Sequence, residues 1–342
     1  MYRRNRYRRY RKENRNQNIF FRKYDSMPDR RYRRYRRKRR KHPFIWLLLL
    51  IAACAYAAYR YPDRAKALIE ALKDKRTALS LNSSMPLPDD LENSLVVDVI
   101  DVGQADCTLI RQGNMVMLFD CGAEVPVKIR SYLKSQGVEH IDSVWLSHND
   151  SDHIGAFPSV AYEWKPGTVF QNGSDKDTWT AEQVSGTIQE YSIPTEIPAR
   201  GNSYPLGDAS VTVLGPVSEK AEEENDRSLA IKVSYGGSSF LFCGDASWIE
   251  ETAMIDAGTD LKADVLHVNH HGSASSTSWE LLESCDPEWA VISVGSENDY
   301  GHPAERTLEK LDDAGVKVVR TDENGTIRFI SDGEQIRVVT ER

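Results

Sequence analysis

The sequence predicts an α/β domain of two β-sheets packed face to face with helices outside, carried behind a basic N-terminal third. Three observations predict it. From about residue 94, short apolar runs alternate with helical stretches. The order of these elements occurs twice. Charge divides the chain in two: residues 1–41 hold 20 Lys and Arg against Glu13, Asp25 and Asp29, whereas from Asn82 onward 18 basic residues face 45 acidic ones, a net −27. A domain that acidic does not suit duplex DNA, which requires clustered Lys and Arg against phosphates.

The arm, residues 1–42, is low-complexity and self-repelling, so no packed core is expected there. It ends where PFIWLLLLIAACAYAAY begins, an uncharged run long enough to span a bilayer at the short end of the range. Trp46 lies near one end and Tyr56, Tyr59 and Tyr61 near the other, as interfacial aromatics do. Residues 43–61 are therefore read as a single transmembrane anchor. The Lys/Arg excess before it places the N-terminus in the cytoplasm and the rest outside the cytoplasm, with the arm against anionic lipid. A signal peptide cut near Ala55-Tyr56-Ala57, or a lipobox ending at Cys54, are the rivals, giving a secreted form or a lipoprotein. The length of the basic arm favours an uncleaved anchor. Residues 62–93 read as a short amphipathic helix and a Pro- and Asp-rich linker, and 94–342 as the globular domain. Cys107, Cys121, Cys243 and Cys285 are scattered without a CxxC pair, which excludes a zinc ribbon and predicts buried free thiols.

The first half of the domain reads LVVDVI, CTLIR, MVMLFDCG, a helix over 125–136 and SVWLSH. The second reads VTVLG, LAIKVSY, SSFLFCGDA, a helix over 247–257 and DVLHVNHHG. Each runs strand, strand ending in a Gly/Asp turn, helix, strand ending in His, a weak internal repeat. Strands this apolar are buried, and interspersed helices must cover them. The His-bearing strand ends then converge on one edge. WAVISVG, a helix over 304–315 and three final strands complete the pattern.

HNDSDH places His148, Asp150, Asp152 and His153 within six residues, directly after a strand. A turn leaving a strand can aim alternate side chains inward, and imidazole with carboxylate suits zinc or manganese. Asp245 ends the strand SSFLFCGD, where a carboxylate can bridge two cations, and HHGS offers His270 or His271 to complete the shell. His302, in DYGHP, can reach the mouth of the site as a proton donor. His267, inside DVLHVN, reads as a packed core residue, and His42 and His140 as membrane-interface and surface residues. Gln104 and Asp106 are open between pocket wall and structural turn.

With HNDSDH, GDA, HHGS and YGHP preceded by DVGQADCTLI, the chain resembles the metallo-β-lactamase superfamily, and within it the hydrolase domain of the ComEC competence proteins and their free-standing relatives. The resemblance covers residues 94–340. It implies an αββα four-layer sandwich with two divalent metal ions, Zn or Mn: His148 and Asp150 on one, Asp152 and His153 on the other, Asp245 between them, and His270 or His271 at the second. Asp150 stands where lactamases carry His. NDRSLAI stands where many members place a further His, so Asn225 or Asp226 is its candidate substitute. No multi-helix DNA channel is present, so the whole competence function does not transfer.

The expected chemistry is hydrolysis by a water activated between two cations, with Asp152 orienting it and His302 protonating the leaving group. GxSxG is absent, which argues against a covalent serine route. Phosphodiesters are the expected substrates: DNA, nucleotides or envelope phosphodiesters, with single-stranded nucleic acid preferred to duplex. Another envelope hydrolase (phosphorylcholine esterase, lactonase or β-lactamase-like) is the alternative. A metal-stabilised binding module is the non-catalytic reading, and the intact ligand set argues against it.

Overall fold

The computed structural model describes residues 85–176, 178–217 and 221–342. The arm and the proposed anchor, residues 1–61, lie outside the described residues, as do His42, Cys54 and the helix expected after Pro62. Among the described residues, no helix is long and apolar enough to cross a membrane. The compact unit runs from Ser83 to Arg342.

The first half opens with β1 (Leu95–Val99), β2 (Thr108–Gln112) and β3 (Met115–Phe119), an antiparallel meander. Helix α1 (Val127–Ser135) crosses over to β4 (Ser143–Leu146), which pairs parallel with β3. Then come α2 (Ser151–Ile154), α3 (Phe157–Trp164), β5 (Thr168–Gln171), α4 (Trp179–Tyr191) and β6 (Thr195–Glu196). The second half repeats the plan. β7 (Ser203–Leu206), β8 (Ala209–Gly215), β9 (Ala230–Tyr235) and β10 (Ser238–Phe242) are antiparallel, and α5 (Trp248–Asp256) leads to β11 (Val265–His267), parallel to β10. α6 (Trp279–Cys285), β12 (Trp289–Ile292), α7 (Glu305–Ala314), β13 (Lys317–Arg320) and α8 (Thr321–Asn324) follow. β14 (Ile327–Ser331) and β15 (Ile336–Thr340) return to the first sheet beside β1. The sheets have eight and seven strands, ordered β15-β14-β1-β2-β3-β4-β5-β6 and β13-β12-β11-β10-β9-β8-β7.

Strand alternation explains the unbroken apolar runs, because both faces of each sheet are covered. Val97, Ile110, Met117 and Phe119 meet Val213, Phe240 and Phe242 between the sheets. Leu109 and Leu118 point the other way, beneath Leu133 of α1, Phe157 and Val160 of α3 and Val184 of α4. Leu241 and Leu266 pack under Met254 of α5, Leu281 of α6 and Leu311 of α7. The result is the four-layer αββα arrangement. The four cysteines of the domain are buried free thiols, as expected.

One polar cluster interrupts this core. The Arg328 guanidinium, fully buried on β14, donates to both oxygens of Asp98 on β1, at 2.6 and 2.7 Å. Its Nη1 also donates to the carbonyls of Met85 and Pro86, at 2.9 and 2.8 Å, so the end of the expected linker is tied into the domain. Removing one partner of such a buried pair costs about 3–5 kcal/mol.

Candidate metal centre

The His-bearing strand ends converge at one edge of the sandwich, as the repeat predicts. β4 ends at Leu146, and the chain turns through His148 into α2, with Asp150 as its N-cap residue. Gly155 closes that short helix where a Cβ would lie 2.4 Å from the Ser151 carbonyl and 2.7 Å from the Glu124 amide, so no larger residue fits. β11 ends at His267, and a single 3₁₀ turn, Asn269–Gly272, carries His270 and His271. Both take left-handed backbone angles, with φ of 51°. Such a conformation is uncommon outside glycine, and the two rings stand 6.2 Å apart at 71° to each other.

The predicted ligands meet around Asp245. On its Oδ2 side lie His148 Nε2 at 3.9 Å and His270 Nε2 at 3.5 Å, and His148 Nε2 is 3.9 Å from Asp150 Oδ2. On its Oδ1 side lies His153 Nε2 at 3.2 Å, and His271 Nε2 stands 3.3 Å from Asp152 Oδ2. Donor atoms about 2.0–2.2 Å from one cation stand roughly 3–3.6 Å apart at tetrahedral to right angles, a spacing the His153, His270 and His271 pairs meet and the two 3.9 Å pairs of His148 exceed. The set fits a metal on a second count as well: His148 Nε2, His153 Nε2 and Asp245 Oδ1 are buried polar atoms without a hydrogen-bond partner. Buried polar groups are rarely left so, and cations on the two sides of Asp245 would satisfy them.

The other ring nitrogens are held. His153 Nδ1 donates to Asp120 Oδ2 at 2.8 Å, and His271 Nδ1 to the Ser293 carbonyl at 2.9 Å. His148 Nδ1 lies 3.0 Å from Ser147 Oγ, whose own proton goes to Asp120 at 2.7 Å. These contacts fix the tautomers that turn Nε2 inward. Asp120 also accepts the Ser147 amide at 2.8 Å, so one carboxylate fastens the whole HNDSDH turn. Sequence reasoning missed that role. Its signal was the FDCG turn of the repeat, noticed as a turn and not as a support.

The electrostatics favour positive charge at His153 and His271, whereas burial, and then the charge of His153, lower the pKa of His148. Burial opposes charge on His153, but Asp245 and Asp120 outweigh it and raise its pKa well above the ordinary value. Burial works to raise Asp245 too, yet His153 and His271 hold it well below the usual carboxylate range. Asp152 is likewise held low, against burial, by the His271 hydrogen bond and the charge of His153.

Several expectations are sharpened or corrected. The sequence left His270 and His271 as alternatives for one metal, and the structure brings both in, on opposite sides of Asp245. Of the two candidates for the missing His, Asp226 accepts the Ser247 amide through Oδ1 at 2.9 Å and so holds the start of α5. Asn225 instead lies against His270 Nδ1 at 3.4 Å. Gln104 is on the wall of the cavity over the ligands, whereas Asp106 is buried behind them. Asp106 groups with His153, Asp245 and His271, ligand atoms within 4.8 Å of one another. Its Oδ2 stands 3.9 Å from His153 Nδ1 and 3.8 Å from His271 Nδ1, too far for a hydrogen bond, and its Oδ1 is another buried oxygen without a partner. His267 is buried against Phe242 with Nε2 3.5 Å from Asp106, and His140 is exposed, as expected.

His302 does line this 380 Å³ cavity, its ring 5.6 Å from that of His270. Burial, and then repulsion from His270 and His271, push its pKa down to about 4. At neutral pH the ring is uncharged and offers a hydrogen bond, not the extra proton of an imidazolium. Lys176 and Tyr300 also line the cavity. Tyr300 is the first residue of YGHP, whereas no motif singles out Lys176.

Known proteins match this architecture. The profile of the metallo-beta-lactamase superfamily matches residues 100–294. ComE operon protein 3 of Bacillus subtilis (strain 168) is 29% identical over 255 residues, 68% of this chain and 32% of that protein. Competence protein ComA of Neisseria gonorrhoeae is 32% identical over 248 residues, 70% of this chain and 32% of its own. This chain thus spans about a third of the length of these curated relatives. Among solved structures, the metallo-beta-lactamase fold protein YhfI from Bacillus subtilis superposes with a TM-score of 0.51 at 14% identity, over 70% of this chain and 99% of that one, a likeness of fold. On the profile match, the sandwich and the buried His/Asp constellation, the chain belongs to the metallo-beta-lactamase superfamily of metal-dependent hydrolases.

Proposed function

We propose that the domain hydrolyses phosphodiesters at a dinuclear centre held by His148, Asp150 and His270 on one side and Asp152, His153 and His271 on the other, with Asp245 shared. The observation that carries this reading is the division of imidazole Nε2 atoms between the two oxygens of one buried carboxylate. Two divalent ions held there, Zn or Mn, would supply an activated water and neutralise charge building on the attacked group.

The protein's own side chains account for the rest. Asp152, about a third exposed, keeps an oxygen toward the cavity, where it can accept a proton from the attacking water. His302 and Tyr300 stand at the mouth, where the leaving group departs. Three carboxylates among the ligands make the site rich in oxygen donors, which suits hard cations and phosphoryl chemistry better than an all-imidazole site does. The net −27 of the chain from Asn82 onward supports small diesters or single strands over duplex DNA.

The same reading places the domain outside the cytoplasm, tethered by residues 43–61. It rests on the Lys/Arg excess before the apolar run. External protease on intact cells should digest the domain beyond Asn82 and spare the arm. Protection of the domain would remove the envelope substrates. The chemistry is tested by assaying the purified protein, metal-stripped and then reloaded with Zn or Mn, on bis-p-nitrophenyl phosphate, single-stranded DNA and a lactam. Metal-dependent turnover of the diester supports the reading. Turnover of the lactam alone would move it to carbonyl substrates.

A further inference from the structure

A second cavity, of 650 Å³, adjoins the first and shares Asn149 and Lys176 with it. Lys176 is the single Lys or Arg among the described residues lining either one. Its ammonium rests on Asp150 Oδ1, while Asp150 Oδ2 faces His148. The loop that delivers it is built for the purpose. Glu224 accepts the Asn149 amide at 2.9 Å, the Asn172 side chain at 3.3 Å and the Ser174 hydroxyl at 2.5 Å. Ser174 Oγ in turn accepts the Lys176 amide at 3.2 Å. A lysine serving only to neutralise Asp150 would lose that purpose once a cation sat on the same carboxylate.

Charge arithmetic gives it another. Two divalent ions against Asp150, Asp152 and Asp245 leave one positive charge, and Lys176 makes two. A phosphodiester monoanion attacked by hydroxide brings two negative charges to the same place.

The second cavity has a different character. Gln171 and Ser185 offer hydrogen bonds, and Ile197, 68% exposed, offers an apolar face. Polar groups beside an apolar face, at a volume typical of small-molecule sites, suit a flat polar heterocycle. Asp175 and Glu182 also line it. The Asp175 charge is met by Arg227 at 3.1 Å, and Glu182 opposes a further phosphate.

We propose that Lys176 clamps the phosphate of the diester and that the second cavity takes one uncharged, nucleoside-sized arm, so that the preferred substrate is a small nucleotide diester or a strand terminus. This rests on the phosphodiesterase reading above. The bond cleaved is the phosphorus–oxygen bond to the other arm: water adds its oxygen to phosphorus, and the departing alkoxide or phenolate takes up a proton.

Three p-nitrophenyl phosphodiesters test it, with methyl, 5′-thymidine or 3′-phospho-5′-thymidine as the second arm. The wild-type protein should show a kcat/KM at least tenfold higher for thymidine than for methyl, and the added 3′-phosphate should erase that gain. Ser185→Trp, on the exposed face of α4, should bring the thymidine-to-methyl ratio to about one. Lys176→Met should lower kcat/KM at least tenfold on all three with metal content unchanged. Titration of metal-loaded protein with thymidine 5′-phosphate and with inorganic phosphate reads the same site without turnover. The wild type should bind the nucleotide more tightly, Ser185→Trp should bind both alike, and Lys176→Met should bind both more weakly. Equal wild-type rates for thymidine and methyl, or a ratio unmoved by Ser185→Trp, would overturn the subsite. Unchanged phosphate affinity in Lys176→Met would overturn the clamp. A wild type that cleaves none of the diesters refutes the phosphodiesterase reading instead, and the two titrations then still decide whether this site exists.

Discussion

The turns that close β3 and β10 occupy the same place in the two halves and read FDCG and FCGDA. In the first, the acid precedes Cys-Gly; in the second, it follows. Asp120 therefore turns back into the protein, fully buried, and grips Ser147 and His153. Asp245 lies further along and presents its carboxylate between the imidazoles. A shift of the acid past two residues separates a clamp from a bridge. The second half, having lost that clamp, fastens its His turn from a helix instead. Glu251 on α5 accepts the Thr277 and Ser278 amides at 2.6 and 2.8 Å and the Asn269 side chain at 2.8 Å. Lys310 on α7 adds donors to the Ser276 and Thr277 carbonyls.

The comparison breaks most visibly at Asp245. Asp245→Asn should abolish turnover and lower bound metal while leaving the thermal transition within a few degrees, because the apolar layers do not depend on it. Full activity with two ions bound would remove the bridge. Asp120→Asn should come next: metal affinity falling about 10–100-fold, as when a ligand's supporting partner is lost, together with a lower Tm. Metal titration and calorimetry measure both, and an unchanged affinity would deny the clamp.

The helix-borne support should yield a smaller effect and a pH signature. Burial pushes Lys310 down from its ordinary 10.5 to about 8. The folded pKa lies below the unfolded one, so between roughly pH 8 and 10.5 the unfolded chain holds a proton the folded chain has released. Stability from this group therefore rises with pH through that window. Lys310→Met should lack the rise, and Tm values at pH 7 and pH 9.5 for the two proteins check it. Parallel shifts in both would refute the assignment.

The smallest effect is expected at His302, which supports neither turn. A neutral ring offering one hydrogen bond contributes about 1–1.5 kcal/mol, so His302→Ala should slow a poor leaving group roughly tenfold. That is less than the 100-fold or so typical of a charged general acid. The loss should nearly vanish with p-nitrophenolate. Equal losses on both leaving groups would leave His302 only a turn residue.

Much of this was legible because it is local. Periodic apolar runs disclosed the strands, and HNDSDH, GDA and HHGS each follow a strand, so their convergence followed from the repeat. What escaped depends on conformation or on distance along the chain. His270 and His271 divide between the two sides through left-handed backbone at two non-glycine residues, which no composition signals. Glu251 reads as an ordinary helix acid until its three amide partners are known. Lys176 reaches Asp150 from 26 positions away through a loop organised by Glu224.

Arg328 bears on mechanics as well as on packing. The chain enters the domain at Met85 and Pro86, and their carbonyls are held by a guanidinium that also grips Asp98 on β1, next to β14 in the sheet. A pull on the chain ahead of Met85 is met first by this cross-strand rivet, before it can peel β1 from its neighbours.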